Sequence, residues 1–326
     1  MSDRPQQMLD DILGWPSALE ALLDAYERPD GPLAALDGFA GRGVLMTGLG
    51  SSRHAAMTVV AGSRAAGAGA WTEPAAPESP TRPSADTVVF AVSASGTTPE
   101  VVDAVRRHRS TAAVIGVTNR PGSPVAVEAD AVLPLLAGEE TAGVATRTYG
   151  ATLAVLGLAA ARLGARGPSV EELRDAVPAL RRLHRSRGPV VARVADLLDG
   201  ASSIDVVAGT RRPGSSAQGA LLLREGPRLP AAAHDATDWS HVAIYTALPG
   251  HRVVLFAGST ADEAVIRTVA RRGGETVVIG ERLPGGARTI GIPLPPDAHP
   301  IARAIVEIAA IELVAAELWD RAAASD

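Results

Sequence analysis

The chain has no cysteine and no lysine. Without thiols it forms no disulfide, holds no thiolate-bound metal and uses no cysteine nucleophile. All 31 basic residues are arginine, and a guanidinium does not lose its proton near neutral pH. Lysine-imine chemistry is therefore excluded, except through the N-terminal amine. Positive charge is also in deficit: the net charge of −5 and pI near 5.8 argue against a nucleic-acid partner, which usually meets a basic face. No long block of like charge suggests disorder. Met1-Ser2-Asp3-Arg4-Pro5 opens no signal peptide, so the expected location is cytoplasmic. The longest apolar stretch, near Ala304–Leu318, is interrupted by Glu307, Glu312 and Glu317. It reads as an amphipathic or buried terminal helix, and no membrane partner is expected.

What is present is enough for a large core: 326 residues, 46% hydrophobic. Two domains are expected, 1–166 and 167–326, divided near Gly164-Ala165-Arg166-Gly167-Pro168. In the first, Leu9–Ala25 has helical periodicity that should break at Trp15-Pro16. Strands are expected at Gly43–Gly48, Thr87–Val92, Ala112–Val117 and Ala131–Leu135, and helices at Arg53–Ala66 and Thr148–Leu163. Ser169-Val170-Glu171-Glu172 reads as a capping box. The alternation then repeats: strands at Ile204–Ala208, Val253–Phe256 and Thr276–Ile279, with helices at Ala217–Glu225, Ala261–Arg271 and Ala298–Ala323. The fold class is α/β, with two doubly wound, flavodoxin-like parallel sheets in tandem.

Ser93-Ala94-Ser95-Gly96-Thr97-Thr98 carries the clearest chemistry. It joins an apolar strand to a helix opening at Pro99. Helix-start N–H groups lack internal partners and sit at the positive end of the dipole. Hydroxyls of Ser93, Ser95 and Thr98 add donors, and Gly96 allows close backbone approach, so the turn suits a phosphate. Gly50-Ser51-Ser52 forms a second Ser-rich turn. Both turns fall at the carboxyl ends of strands, where such sheets bind ligands.

These motifs resemble the sugar isomerase (SIS) domain proteins, in particular the isomerase half of glucosamine-6-phosphate synthase and SIS-type glucosamine-6-phosphate deaminases. The resemblance runs through Gly48-Leu49-Gly50-Ser51-Ser52-Arg53-His54, the Ser93–Thr98 turn, Ala137-Gly138-Glu139-Glu140, Val144–Tyr149 and Gly219–Glu225. It implies that Ser93, Ser95 and Thr98, with the Ala94 backbone, hold a sugar phosphate. It places Ser51 and Ser52 on phosphate or sugar hydroxyls, and the Ala145 backbone on the sugar. Glu225 matches a proton-shuttling carboxylate, and His241 a ring-opening histidine commonly supplied by the neighbouring subunit of a homodimer. Aldose–ketose isomerisation moves one proton between C1 and C2, which a single carboxylate serves, and an imidazole near the ring oxygen assists opening. Neither step needs a metal or an organic cofactor.

Blander readings stand beside these. Glu225, before Gly226-Pro227, has the position of a solvated helix end, although a carboxylate there opposes the dipole. His241 sits in what reads as a polar loop, His234–His241, whose spacing fits no standard metal site. Arg211 and Arg212 read as solvated, with a ligand anion as the alternative, and His54 as a helix-start packing residue. The chain also departs from the resembled pattern. Arg147 and Leu222 stand where lysines are expected, Ser240-His241-Val242-Ala243 lacks Gly-Pro after His, and the end at Leu318–Asp326 shows no Lys-bearing tail. No glutaminase segment accompanies it, so glutamine-dependent amination is not expected of this chain alone. Two readings remain at the level of sequence: a hexose- or amino-sugar-phosphate isomerase (or deaminase), and a phosphosugar-binding sensor or partner subunit without turnover.

Overall fold

The computed structural model describes residues 3–76, 78, 80–285 and 288–325. The first half is built from α1 (Arg4–Glu27), β1 (Gly43–Gly48), α2 (Gly50–Ala65), β2 (Ala70–Pro74), β3 (Thr87–Val92), α3 (Pro99–His108), β4 (Ala113–Thr118), α4 (Pro124–Glu128), β5 (Ala131–Pro134) and α5 (Arg147–Arg162). The rest comprises α6 (Val170–Arg174), α7 (Ala176–Leu198), β6 (Ser203–Ala208), α8 (Pro213–Glu225), β7 (Ala231–Asp235), α9 (Ala236–Val242), β8 (His251–Phe256), α10 (Asp262–Arg271), β9 (Glu275–Ile279), β10 (Arg288–Ile290) and α11 (Pro300–Ser325).

Two five-stranded sheets result, ordered β2-β1-β3-β4-β5 and β10-β9-β8-β6-β7, with every pairing parallel. Numbered from its own first strand, the second sheet repeats the order of the first, 2-1-3-4-5. This is the flavodoxin-like, doubly wound arrangement expected, and in each sheet the chain reverses direction between its first and third strands.

Parallel strands covered on both faces read as continuous apolar runs. Thr87-Val88-Val89-Phe90-Ala91-Val92 is buried throughout. Val88, Phe90 and Met46 face a central cluster shared with α1, α2, α5, α7, α8 and α11, whereas Leu45, Val89 and Ala91 face a smaller one beneath α3. The second sheet divides in the same way. Val206, Val254 and Phe256 face the centre; Val207, Val253 and Leu255 face a cluster built on Trp239 and α10.

α1 passes through Pro16 without breaking, contrary to the expectation. Proline removes one helix hydrogen bond, but Trp15, Leu19, Leu22 and Leu23 are almost wholly buried on either side, and Trp15 lies against Gly150, where an added Cβ would come 2.7 Å from the indole ring. The capping box forms as read: Glu172 N donates to Ser169 Oγ (3.1 Å) and Ser169 N to Glu172 Oε2 (2.7 Å). α11 is buried nearly all round, with Glu307 and Glu312 inside the core. Burial pushes both carboxyls up, and Arg212 and Ser215 hold Glu307 back. No helix among the described residues is long and apolar enough to cross a membrane.

Candidate active site

The first sheet's switch point lies between β1 and β3. There Ser93, at the end of β3, is buried, and its Oγ accepts Gly96 N (3.1 Å) and lies 2.9 Å from Thr98 Oγ1. Ser95 is exposed; its Oγ accepts Thr97 N (3.3 Å) and Thr97 Oγ1 (3.1 Å). Thr98 is the N-cap residue of α3, but its hydroxyl bonds no helix N–H and is turned to Ser93 Oγ instead. Gly96 has φ +67°, and a Cβ there would fall 1.9 Å from Ser123 Oγ. Glycine is thus required twice over, by conformation and by space. The Ala94 carbonyl accepts Asn119 N (3.0 Å) and Thr118 Oγ1 (3.2 Å), which fixes the turn to the end of β4.

Beside it, Gly48 approaches so closely that a Cβ would meet Val92 O at 2.8 Å. Gly50 opens α2 at φ +50°, so Ser51 and Ser52 lie in the helix's first turn rather than in a separate loop. Both are half-buried.

A third wall comes from residues 137–146. Asn119 Oδ1 accepts Ala137 N (3.0 Å), and its Nδ2 donates to Gly138 O (2.6 Å). Asp11, buried on α1, accepts Thr141 N (2.9 Å) and pairs with Arg147 (2.6 Å), so the arginine ties the loop to α1. Glu140 accepts Thr146 N (2.8 Å) and Thr148 N (3.0 Å), capping α5. Ala145 is held between these anchors.

α8 crosses α2 antiparallel. Gly214 N donates to Thr58 Oγ1 (3.2 Å), and one turn on Gln218 Oε1 meets His54 Nδ1 (3.2 Å). Gly214 has no room for a side chain, since a Cβ would sit 1.9 Å from His54 O. Seven residues past Gln218, about 10 Å at 1.5 Å per residue, Glu225 closes α8, which runs antiparallel to α2 in the direction of that helix's N-terminal end. Glu225 is exposed at the end of α8, as a solvated helix end would be; neighbouring atoms still desolvate its carboxyl enough to push it up, and Arg224 draws it back. Burial likewise depresses His54, with Arg53 and Arg224 adding to the effect and Gln218 opposing it, so His54 packs as a neutral imidazole. Leu222 is fully buried. Gln218 went unnoticed in the sequence. Its wholly buried amide also lies 3.5 Å from Ala145 O, linking three segments of the site. The only signal was one amide inside an apolar helix.

The structure does not bring His241 to Glu225 within one chain. His234 and Asp235 end β7, and the expected loop is instead α9, capped by Asp235 Oδ1 accepting Thr237 N (2.8 Å) and Asp238 N (3.2 Å). α9 is seated through Trp239, whose Nε1 donates to buried Asp205 (2.8 Å). That packing is on the outer face of the second sheet, while α8 packs on the inner face. His241 is exposed on α9, beside exposed Val242, Tyr245 and Leu248. Among the described residues no group of three or more His, Asp or Glu could hold a metal. Arg212 also departs from its reading. It is buried and paired with Glu307, with Nη2 donating to Ala257 O (2.6 Å).

Residues 77–162 match the SIS domain model. The glutamine–fructose-6-phosphate aminotransferase of Aeropyrum pernix is 34% identical over 294 residues, covering 84% of this chain and 47% of that protein. The chain thus spans about half the length of that relative. The C-terminal domain of glucosamine-fructose-6-phosphate aminotransferase from Francisella tularensis superposes with a TM-score of 0.81 at 15% identity, covering 96% of each chain. Tagatose-6-phosphate ketose/aldose isomerase from Escherichia coli superposes at 0.73 and 16% identity, over 97% of this chain and 92% of that one. The chain therefore carries a SIS domain and is homologous to the glutamine–fructose-6-phosphate aminotransferases.

Proposed function

We propose that the chain binds a hexose or 2-amino-hexose 6-phosphate in the first-sheet crevice and moves a proton between C1 and C2. For a hexose this interconverts aldose and ketose; for a 2-amino sugar it gives a C2 imine that water hydrolyses to the ketose and ammonia. The observation that carries this reading is the hydroxyl-lined turn at the switch point; α8, antiparallel to α2 and ending at Glu225, supports it by running toward the same end. Ser93, Ser95 and Thr98, with the Ala94 and Gly96 backbone, hold the phosphate; Gly50, Ser51 and Ser52 contact the phosphate or sugar hydroxyls, and the Ala145 backbone the sugar. For a hexose, in the ketose-forming direction, the Glu225 carboxylate takes the C2 proton, the electron pair moves onto the C1 oxygen, and an enediolate forms. The hydroxyl proton on O2 passes to O1 as C2 becomes the carbonyl, and the carboxylic acid so made returns its proton to C1. A carboxyl drawn upward in pKa suits both halves of that cycle. His241 opens the sugar ring of a second copy, since it lies across the sheet from its own Glu225. Exposed Val242, Tyr245 and Leu248 around it give a homodimer contact its apolar surface.

A second reading, phosphosugar binding without turnover, is favoured by one observation: buried, apolar Leu222 leaves Glu225 with no lysine beside it. Both readings need the cradle. Ser95→Ala with Thr98→Ala should weaken fructose 6-phosphate binding about a hundredfold or more in calorimetry, since hydrogen bonds to charged groups are worth about 1.5–3 kcal/mol each. Unchanged affinity would remove the phosphate from this turn.

A further inference from the structure

The second sheet has its own switch point, between β6 and β8, and its chemistry differs from that of the first. A crevice of about 360 Å³ opens there, lined among others by Arg211, Arg212, Ser259, Asp262 and Arg303. Arg212 is committed to Glu307 and the Ala257 carbonyl. Arg211 is exposed and makes no side-chain hydrogen bond or ion pair among the described residues. Arg303 is held loosely: its Nη2 is 3.5 and 3.4 Å from the carbonyls of Pro295 and Pro296 and 4.0 Å from Glu281.

Asp262 is 2% exposed. Its Oδ2 accepts Gly258 N (2.7 Å) and Ser259 N (2.9 Å), whereas its Oδ1 is buried with no partner. A carboxylate thus fills the backbone nest that serine hydroxyls occupy at the first switch point, and an anion is repelled from that spot. Arg211, and Arg303 through its long and replaceable contacts, offer guanidinium forks that suit phosphate or carboxylate. Asp262 Oδ1 asks for a donor. We propose that this crevice is a second ligand site, taking a small phosphorylated polyol with its phosphate on Arg211 and Arg303 and a hydroxyl on Asp262.

The test is calorimetric titration of the full chain with two probes, inorganic phosphate and fructose 6-phosphate. The intact chain binds two equivalents of fructose 6-phosphate, and Ser95→Ala with Thr98→Ala leaves one. Adding Arg211→Glu, a change at an exposed residue without structural partners, weakens that remaining site more than tenfold with an unchanged thermal midpoint. Asp262→Asn keeps an acceptor for the Gly258 and Ser259 N–H groups but turns a donor inward. It should bring fructose 6-phosphate affinity at this site down to that of inorganic phosphate, which distinguishes a polyol ligand from a bare anion. A single equivalent abolished by the Ser95 and Thr98 changes overturns the second site, as does a residual equivalent indifferent to Arg211→Glu. If the Ser95 and Thr98 changes alter nothing while Arg211→Glu removes an equivalent, the first-sheet cradle fails and this site stands.

Discussion

Glu225→Gln should lower turnover about 10²–10⁴-fold, the range for removing a general acid–base, while leaving hexose 6-phosphate affinity within about twofold. The substitution keeps shape and hydrogen-bonding capacity but cannot take or return a proton. In the proposed site the phosphate would be held by Ser93, Ser95 and Thr98 on another element, so binding should not feel the change. The pH profile gives a second check. Desolvation by its neighbours raises the carboxyl of exposed Glu225 above the ordinary glutamate value. The carboxylate is the form that takes the C2 proton, so kcat/KM should fall as pH falls through that raised value. The acid limb should therefore lie higher than for a solvated glutamate, and the variant should lose it. Full activity in Glu225→Gln would remove this residue from the chemistry.

Glu307→Ala should destabilise the fold by about 3–5 kcal/mol, because removing one partner of a buried pair strands the other charge. Arg212 and Glu307 are 7% and 0% exposed. Without the carboxylate, Arg212 retains the hydrogen bond to the Ala257 carbonyl and the nearby charge of Asp262 but no bonded counter-ion among the described residues, and Ser215, fully buried, loses its acceptor. Arg212→Met with Glu307→Leu should recover most of the loss, since apolar replacement of both members is often neutral or better. Urea-melt midpoints read both effects. A single variant as stable as the parent would mean that the pair carries no such burden.

The sequence was most legible where structure is local. Thr87–Val92 and Gly43–Gly48 were read to the residue because parallel strands buried on both faces show unbroken β-branched and apolar runs. Ala70–Pro74, Ala231–Asp235 and Arg288–Ile290 carry no such run. They are strands because β1, β6 and β9 present open edges to them. The Ser93–Thr98 turn was readable for the same reason: its hydroxyls, its glycine and the helix it precedes lie within a few residues. The assembly around Gln218 was not, since His54 is 164 residues away and Ala145 is 73. Arg212 was read as solvated because its partner lies 95 residues on. The sixteen residues from Glu225 to His241 likewise gave no hint that a sheet lies between α8 and α9.

The most direct measurement is proton NMR in D2O with a panel of hexose and 2-amino-hexose 6-phosphates, following exchange at C2. The account predicts C2 exchange with at least one substrate, and its loss in Glu225→Gln. No exchange across the panel at high protein concentration, with binding intact, would contradict enediol chemistry and leave a phosphosugar-binding protein.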